Sequence, residues 1–401
     1  MIQRTCWVDR IEEAWKSRRI VWLAGPRRLG KTTLARQLEG VEYFDCDLPS
    51  VRRDAEDTEA FLSAHRGKRL VLDEIHRLAN PSELLKVASD HHPDTRIVAT
   101  GSSTLGAGAR FRDTLTGRKR TVHLHPVLWR EMATFDCGSL ERRLLQGGLP
   151  ESLIQETPDE AEFSDWLESF WARDIMDLFS VSKRYSFLRF LEMLWAQSGG
   201  LCQLTSFTGP CEASRQTLAN YLDMLALTGV VTVLRPYSTN PRRELVAMPK
   251  VYAFDTGFVC HARGWASLRR EDCGNLWEHL VLDELAFELP GGAVHYWRDK
   301  QKREVDFVIS RRGCPPVAIE CKWRSSAADY AGLDAFRSLH PEAICWLIAA
   351  DRKTVIRRKT RGGTVCEAGL QNLPGLIASL PGGRGIPMPE TPSSHRDAAG
   401  G

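Results

Sequence analysis

The chain has 401 residues, 43% of them hydrophobic and 26% charged, with a formal net charge of +3. This composition excludes a wholly disordered chain, and at about 150 residues per domain the length predicts two or three domains. The eleven cysteines form no Cys-x-x-Cys pair or zinc-ligand spacing. No secretory pattern precedes them and no apolar run reaches the roughly 18 residues of a membrane span, so the expectation is a cytoplasmic chain with no membrane partner.

The first informative stretch is Gly25-Pro26-Arg27-Arg28-Leu29-Gly30-Lys31-Thr32, between the apolar run Ile20 to Ala24 and a helical pattern beginning at Thr33. Strand, glycine loop and helix in that order read as a P-loop, whose backbone N–H groups curl around phosphates. Gly25 through Thr33 then form a cradle for ATP, with Lys31 on the β- and γ-phosphates and the Thr32 hydroxyl on Mg²⁺. The alternative is a chance glycine-rich turn before a helix.

Val41 to Asp45 is a short strand candidate, followed by a polar helical stretch through Ala64. Leu70-Val71-Leu72-Asp73-Glu74 then reads as a buried parallel strand ending in two acids. Asp73 is placed to hold Mg²⁺ through water, and Glu74 to polarise the water that attacks the γ-phosphate. Ile97 to Ser103 reads as a third parallel strand, where Thr100 or Ser102 senses the γ-phosphate or simply caps the turn. Arg118, just before the strand Thr121 to Leu124, is either an arginine finger supplied across a subunit boundary or a surface arginine.

Taken together, Gly25 to Thr32, Leu70 to His76, Thr100 to Ser103, and Gly117-Arg118 leading to His125-Pro126 resemble a known family. It comprises bacterial and archaeal AAA-like ATPases whose P-loop domain precedes a domain of unknown function numbered 4143. The likeness runs through about residue 370. It implies an ATPase of the additional-strand lineage and a homo-oligomer.

Further along, Phe163, Trp166, Phe170 and Trp171 recur at helical spacing, as a packing face does. Phe187 to Trp195 and Thr217 to Leu227, with Ser214 as N-cap and Gly229 as stop, precede the strand Val230 to Leu234, giving the outline of a winged helix. Arg215, Gln216 and Asn220 lie opposite its apolar face, where they reach a DNA groove if the module binds DNA; otherwise the module only packs the outer domains together.

A second constellation follows. On the helix Asn275 to Leu289, Glu278 shares a column with Leu282, Leu285 and Leu289, so it needs a cation or donors. Glu304 to Ile309 alternates as a half-buried strand, and the chain returns through Val317 to Lys322, with Glu320 and Lys322 on one face. A hairpin brings Asp306 beside Glu320, so Glu278, Asp306 and Glu320 are candidate Mg²⁺ ligands and Lys322 a group that orients or deprotonates water. The spacing is similar to the PD-(D/E)xK nuclease fold, with Val305 replacing the proline.

The expected fold class is α/β: a P-loop AAA-type parallel sheet (1–145), a helical connector (146–185), a winged helix (186–240), a PD-(D/E)xK nuclease-like α/β domain (241–375) and a disordered tail (376–401). The expected function is a Mg²⁺-dependent ATP hydrolase acting on DNA by translocation, unwinding or gated cleavage. The alternative is a nucleotide-gated scaffold that binds DNA or protein without cutting.

Overall fold

The computed structural model describes residues 2–101, 115–155, 160–179, 181, 183–238, 248–291 and 293–381. Ser102, Ser103, the basic pair Arg242-Arg243 and residues from Gly382 onward lie outside the described residues; the start expected for a disordered tail, 376, instead falls inside the helix Leu373–Ala378, with Ile377 and Leu380 buried in the core.

Among the described residues, Ile20–Ala24 (β1), Val41–Asp45 (β2), Arg69–Asp73 (β3), Arg96–Thr100 (β4) and Lys119–His123 (β5) form one parallel sheet in the order β2-β3-β4-β1-β5. Strand β4 lies between the P-loop strand and the acid-bearing β3, which is the additional-strand order implied by the family resemblance. Alternation along the strands covers both faces. Val21, Leu23, Val71 and Val98 face one core, while Trp22, Leu70, Leu72, Ile97 and Ala99 face another. The helix after the P-loop, Lys31–Ala35, starts two residues before Thr33 because Gly30, at φ 80°, turns the chain directly into it.

The middle of the chain begins with a helix over Glu160–Phe170 that continues through a π-helical turn, Trp171–Ile175. Helices Arg184–Ala196 and Arg215–Thr228 follow. Ser214 caps the latter through Thr217 N–H (3.1 Å), and Gly229, at φ 77°, ends it. Three short strands, Gly200–Leu201 (β6), Val231–Leu234 (β7) and Lys250–Ala253 (β8), pair antiparallel in the order β6-β8-β7. Strand β8 lies beyond the 240/241 boundary expected from sequence, yet its partners are β6 and β7; the ladder is made between segments about fifty residues apart, which a linear reading does not see.

In the last part, the helix Arg270–Glu288 begins five residues earlier than expected, where Asp272 accepts from the Arg269 backbone N–H (3.0 Å). It covers a mixed sheet of Ala293–Arg298 (β9), Glu304–Ser310 (β10), Val317–Lys322 (β11), Ile344–Ala349 (β12), Ile356–Thr360 (β13) and Gly363–Ala368 (β14), ordered β13-β14-β12-β11-β10-β9. The pairs Val305↔Trp297 and Val308↔His295 leave Asp306 and Phe307 opposite Tyr296 alone, a bulge that re-aims Asp306.

A single apolar cluster runs from Trp7 and Ile11 through Trp166, Phe187, Trp195 and Leu225 to Trp277, Phe307 and Leu373, so one core joins all three regions. Its polar joint is fully buried Arg143, which donates to Val127 O (2.8 Å) and Thr256 Oγ1 (3.1 Å), beside Asp255, which accepts from Gly148 N–H (2.6 Å). A Cβ on Gly148 would lie 2.3 Å from the Arg143 guanidinium. Gly148→Ala is therefore expected to destabilise the chain by about 1–3 kcal/mol, measured as a lower denaturation midpoint; an unchanged midpoint contradicts this joint.

Candidate functional site

The P-loop opens on a cavity of about 560 Å³ whose lining includes Gly25, Arg27, Arg28, Gly30, Lys31, Thr32, Thr33 and Glu74. A Cβ on Gly25, at φ 145°, would lie 2.8 Å from Leu124 O, so the loop passes too close to the strand exit for a side chain. Leu29 is buried beneath the loop, and its carbonyl accepts from Arg4 (3.0 Å). Lys31 Nζ donates to the carbonyls of Gly25 (2.8 Å) and Pro26 (2.9 Å). Burial lowers the Lys31 pKa, opposed by the nearby Glu74 and Asp174 carboxylates.

Asp73 is buried at the end of β3 and held by two hydroxyls: Thr100 donates to its Oδ1, and Tyr43 to its Oδ2 at 2.5 Å. Thr100 Oγ1 also accepts from Glu74 N–H at 3.2 Å, so one side chain fixes both acids. Glu74, in left-handed backbone at φ 53°, turns into the cavity with its Oε2 3.1 Å from His76 Nδ1. Burial raises its carboxyl pKa, but His76, Lys31 and Arg27 outweigh that and leave it lowered. The hydroxyl and carboxylate donors of Thr32, Asp73 and Glu74 are hard oxygens of the kind Mg²⁺ takes.

Arg118 does not line the cavity; its guanidinium pairs with Asp90 through two bonds of 2.8 and 3.0 Å. The cavity also includes residues with no P-loop signature. Arg4, paired with Glu131 at 2.7 Å, and Gln37 lie along it, as do Ile2, Phe135, Pro150 and Ile154. From the connector come Trp166 and Asp174. Trp166 is a core residue, as its spacing predicts, but its indole N–H also donates to Arg27 O (3.3 Å).

The second constellation assembles around β10 and β11. Their pairing, Phe307↔Ile319, carries Asp306 next to Glu320, and Asp306 Oδ2 accepts from Cys321 N–H at 2.8 Å. Lys322 Nζ donates to Glu320 Oε1 at 2.8 Å, as the period of two requires. Glu278 accepts from the Tyr252 hydroxyl at 2.8 Å. Burial raises the carboxyl pKa of all three acids; the Asp306 charge adds to the rise of Glu278 and Glu320, and for Asp306 itself Glu304 adds while Lys250, the Cys321 N–H and Lys322 oppose. Two residues that sequence reasoning missed answer that charge. Lys250, buried on β8, faces Asp306 and Glu278 and lies 3.3 Å from Glu304, and Tyr252 follows on the same strand. The one sequence signal was the alternation Lys250-x-Tyr252 on a short apolar strand.

This differs from the expected metal centre. Among the described residues, no three His, Cys, Asp or Glu side chains are gathered so as to hold a metal ion. Lys250 and Lys322 lie among Glu278, Asp306 and Glu320 as partial counter-charge, and the acids in turn raise the pKa of both lysines against the effect of burial.

With this geometry in place, three family models match. An AAA domain covers residues 17–133, and two domains of unknown function, DUF8612 and DUF4143, cover 138–269 and 273–365. The chain joins an AAA domain to DUF4143. Uncharacterized proteins of Mycobacterium bovis and Mycobacterium tuberculosis are 28% identical to it over 326 residues, spanning 79% of this chain and 73% of theirs. Among solved structures, a Walker-type ATPase of Pyrococcus abyssi is similar at 15% identity, covering 66% of this chain and 96% of its own, with a TM-score of 0.42. The Aeropyrum pernix ORC1 protein, solved in complex with DNA, is similar at 14% identity, covering 66% of this chain and 92% of its own, with a TM-score of 0.26. No helix among the described residues of this AAA–DUF4143 chain is long and apolar enough to cross a membrane.

The acid cluster sets a pH dependence. The Glu278 carboxyl rises from 4.5 to about 8 on folding. The folded state then holds its proton more tightly than the unfolded one, so this contribution to stability is full below pH 4.5 and is lost as pH rises towards 8. Lys250→Met removes the principal counter-charge and is expected to cost about 3–5 kcal/mol at high pH. Denaturant melts at pH 5 and pH 8 should show a larger loss at pH 8; equal losses would contradict the charge balance.

Proposed function

We propose that the chain is a Mg²⁺-dependent ATPase, working as a homo-oligomer, that acts on DNA. The observation that carries this reading is the cavity that brings Lys31, Thr32 and Glu74 together at the P-loop, with Asp73 fixed behind them by Thr100 and Tyr43. In this reading, the backbone of Gly25 to Lys31 cradles the phosphates and Lys31 leaves the Gly25 and Pro26 carbonyls for the β- and γ-phosphates. Thr32 and Asp73 would hold Mg²⁺, which would supply charge neutralisation on the phosphate oxygens. Glu74 orients and polarises the attacking water, and its lowered pKa keeps it able to accept a proton. Arg118 serves a neighbouring subunit's site after leaving Asp90.

In this reading the AAA unit spans 1–145, the connector 146–185, and the winged helix begins at 186 and takes in strand β8, Lys250–Ala253, with the nuclease-like domain following it. Action on DNA is supported by exposed Arg215, Gln216 and Asn220 on the second helix of the central module, and by exposed Arg357 and Lys359 on edge strand β13. Those two side chains alternate along the strand in the manner of a phosphate-contacting row.

A second reading, in which the C-terminal domain binds DNA or protein without cutting, is favoured by one observation. Buried Lys250, which is outside the Asp-Glu-x-Lys constellation, sets an ammonium group against Asp306, Glu278 and Glu304.

The test is the steady-state ATPase rate with Mg²⁺, alone and with single-stranded, duplex and branched DNA. The expected results are stimulation by one DNA form, loss of hydrolysis in Lys31→Ala, and a fall of about 10²–10⁴-fold in Glu74→Gln with ATP binding retained. Hydrolysis indifferent to every DNA form contradicts action on DNA, and hydrolysis surviving Lys31→Ala contradicts the site.

A further inference from the structure

Two side chains of the P-loop are paired with acids of the connector. The Arg27 guanidinium pairs with Asp174, whose side chain is 2% exposed, and the Arg28 guanidinium lies 3.7 Å from Glu162. Both acids come from the connector, Glu162 from the helix Glu160–Phe170 and Asp174 from the π-helical turn that continues it. A π turn adds a residue to the helical circuit and shifts the side chains after it around the axis, and such turns recur at functional sites. Here the turn carries Asp174 into the cavity lined by Arg27, Lys31 and Thr32. Glu162 is oriented in turn by Ser152 Oγ (2.9 Å). Two further contacts hold the same joint. Trp166 N–H donates to the Arg27 carbonyl at 3.3 Å, and Pro26 packs where a Cβ on Gly229 would lie 3.4 Å from its ring.

We propose that Asp174 and Glu162 are affinity-determining residues of the nucleotide site, internal anions that compete with the nucleotide's phosphates for Arg27 and Arg28. The inference rests on the reading of the P-loop as a nucleotide site. Phosphates entering the cavity meet Lys31, Arg27 and Arg28 as attractive charges and Glu74 and Asp174 as repulsive ones, with Glu162 paired to Arg28 and Asp73 buried behind the lining. Glu74 and Asp73 stay for metal and water. Asp174 and Glu162 belong to the connector, so a phosphate that takes over Arg27 and Arg28 breaks the ion pairs joining the AAA domain to the connector. The same charges thereby set the affinity and link phosphate occupancy to the position of the helix. The penalty grows with ligand charge, so a triphosphate feels it more than a diphosphate.

The test is titration of the full-length chain with fluorescent ATP and ADP analogues in the presence of Mg²⁺, for wild type, Asp174→Asn, Asp174→Glu, Glu162→Gln and Lys31→Ala, each checked by thermal melting. The expected results are ATP affinity raised about five- to tenfold in Asp174→Asn, a smaller gain for ADP, near wild-type values in Asp174→Glu, and a gain in the same direction in the more accessible Glu162→Gln. Should Asp174→Asn not fold, Glu162→Gln carries the test alone. Weaker or unchanged ATP binding in the folded variants, with wild-type binding intact and Lys31→Ala defective, overturns the competition while leaving the nucleotide site standing. Failure of wild type and both charge-removing variants to bind either nucleotide overturns the nucleotide site and the competition with it.

Discussion

The structure depends on how the chain neutralises charge it has buried. At the P-loop the problem is cationic: Lys31, Arg27 and Arg28 converge on one cavity, and the chain answers them with the Gly25 and Pro26 carbonyls, Asp174 and Glu162. Around β10 and β11 the problem is anionic, with Glu278, Asp306 and Glu320 answered by Lys250, Lys322 and the Tyr252 hydroxyl. Breaking either set leaves unpaired charge in a place where water cannot fully replace the partner, which is far more costly than losing a surface pair.

In both places the middle of the chain supplies the answer. Asp174 and Glu162 leave it in one direction and Lys250 and Tyr252 in the other, and all four lie within the 138–269 match. The apolar cluster running from Trp7 to Leu373 packs the same segment against both sheets. Buried Arg143 and Asp255 add a polar joint at Gly148. The central module is thus a shared wall of the two charged sites.

Much of this was legible in the sequence. Glycine spacing located the P-loop, the apolar run ending in Asp73-Glu74 located β3, and the period of two placed Glu320 and Lys322 together. Thr100 was legible only as a choice between sensor and turn cap; the structure shows it bonded to Asp73 Oδ1 and to Glu74 N–H. What escaped were partners supplied from far along the chain. Asp174 is 147 residues from Arg27, and nothing local marks it because the π turn that aims it has no sequence period. Lys250 falls inside the expected nuclease-like segment, 241–375, and its strand of four residues escapes the pattern because it pairs backwards, with Leu234 and Leu201. The bulge at Asp306 also goes unmarked by any glycine or proline; its one trace is that the alternation of Glu304 to Phe307 gives way to the apolar run Phe307-Val308-Ile309.

In the proposed competition, phosphate at the P-loop and the connector acids share the same cations. Hydrogen–deuterium exchange of the chain, with and without a non-hydrolysable ATP analogue and Mg²⁺, tests this most directly. The P-loop peptide is expected to become protected while the connector peptide from 160 to 179 exchanges faster, as its ion pairs to Arg27 and Arg28 are lost. Protection of both peptides together would contradict it, because the acids would then be holding the nucleotide-bound loop in place instead of yielding to the phosphates.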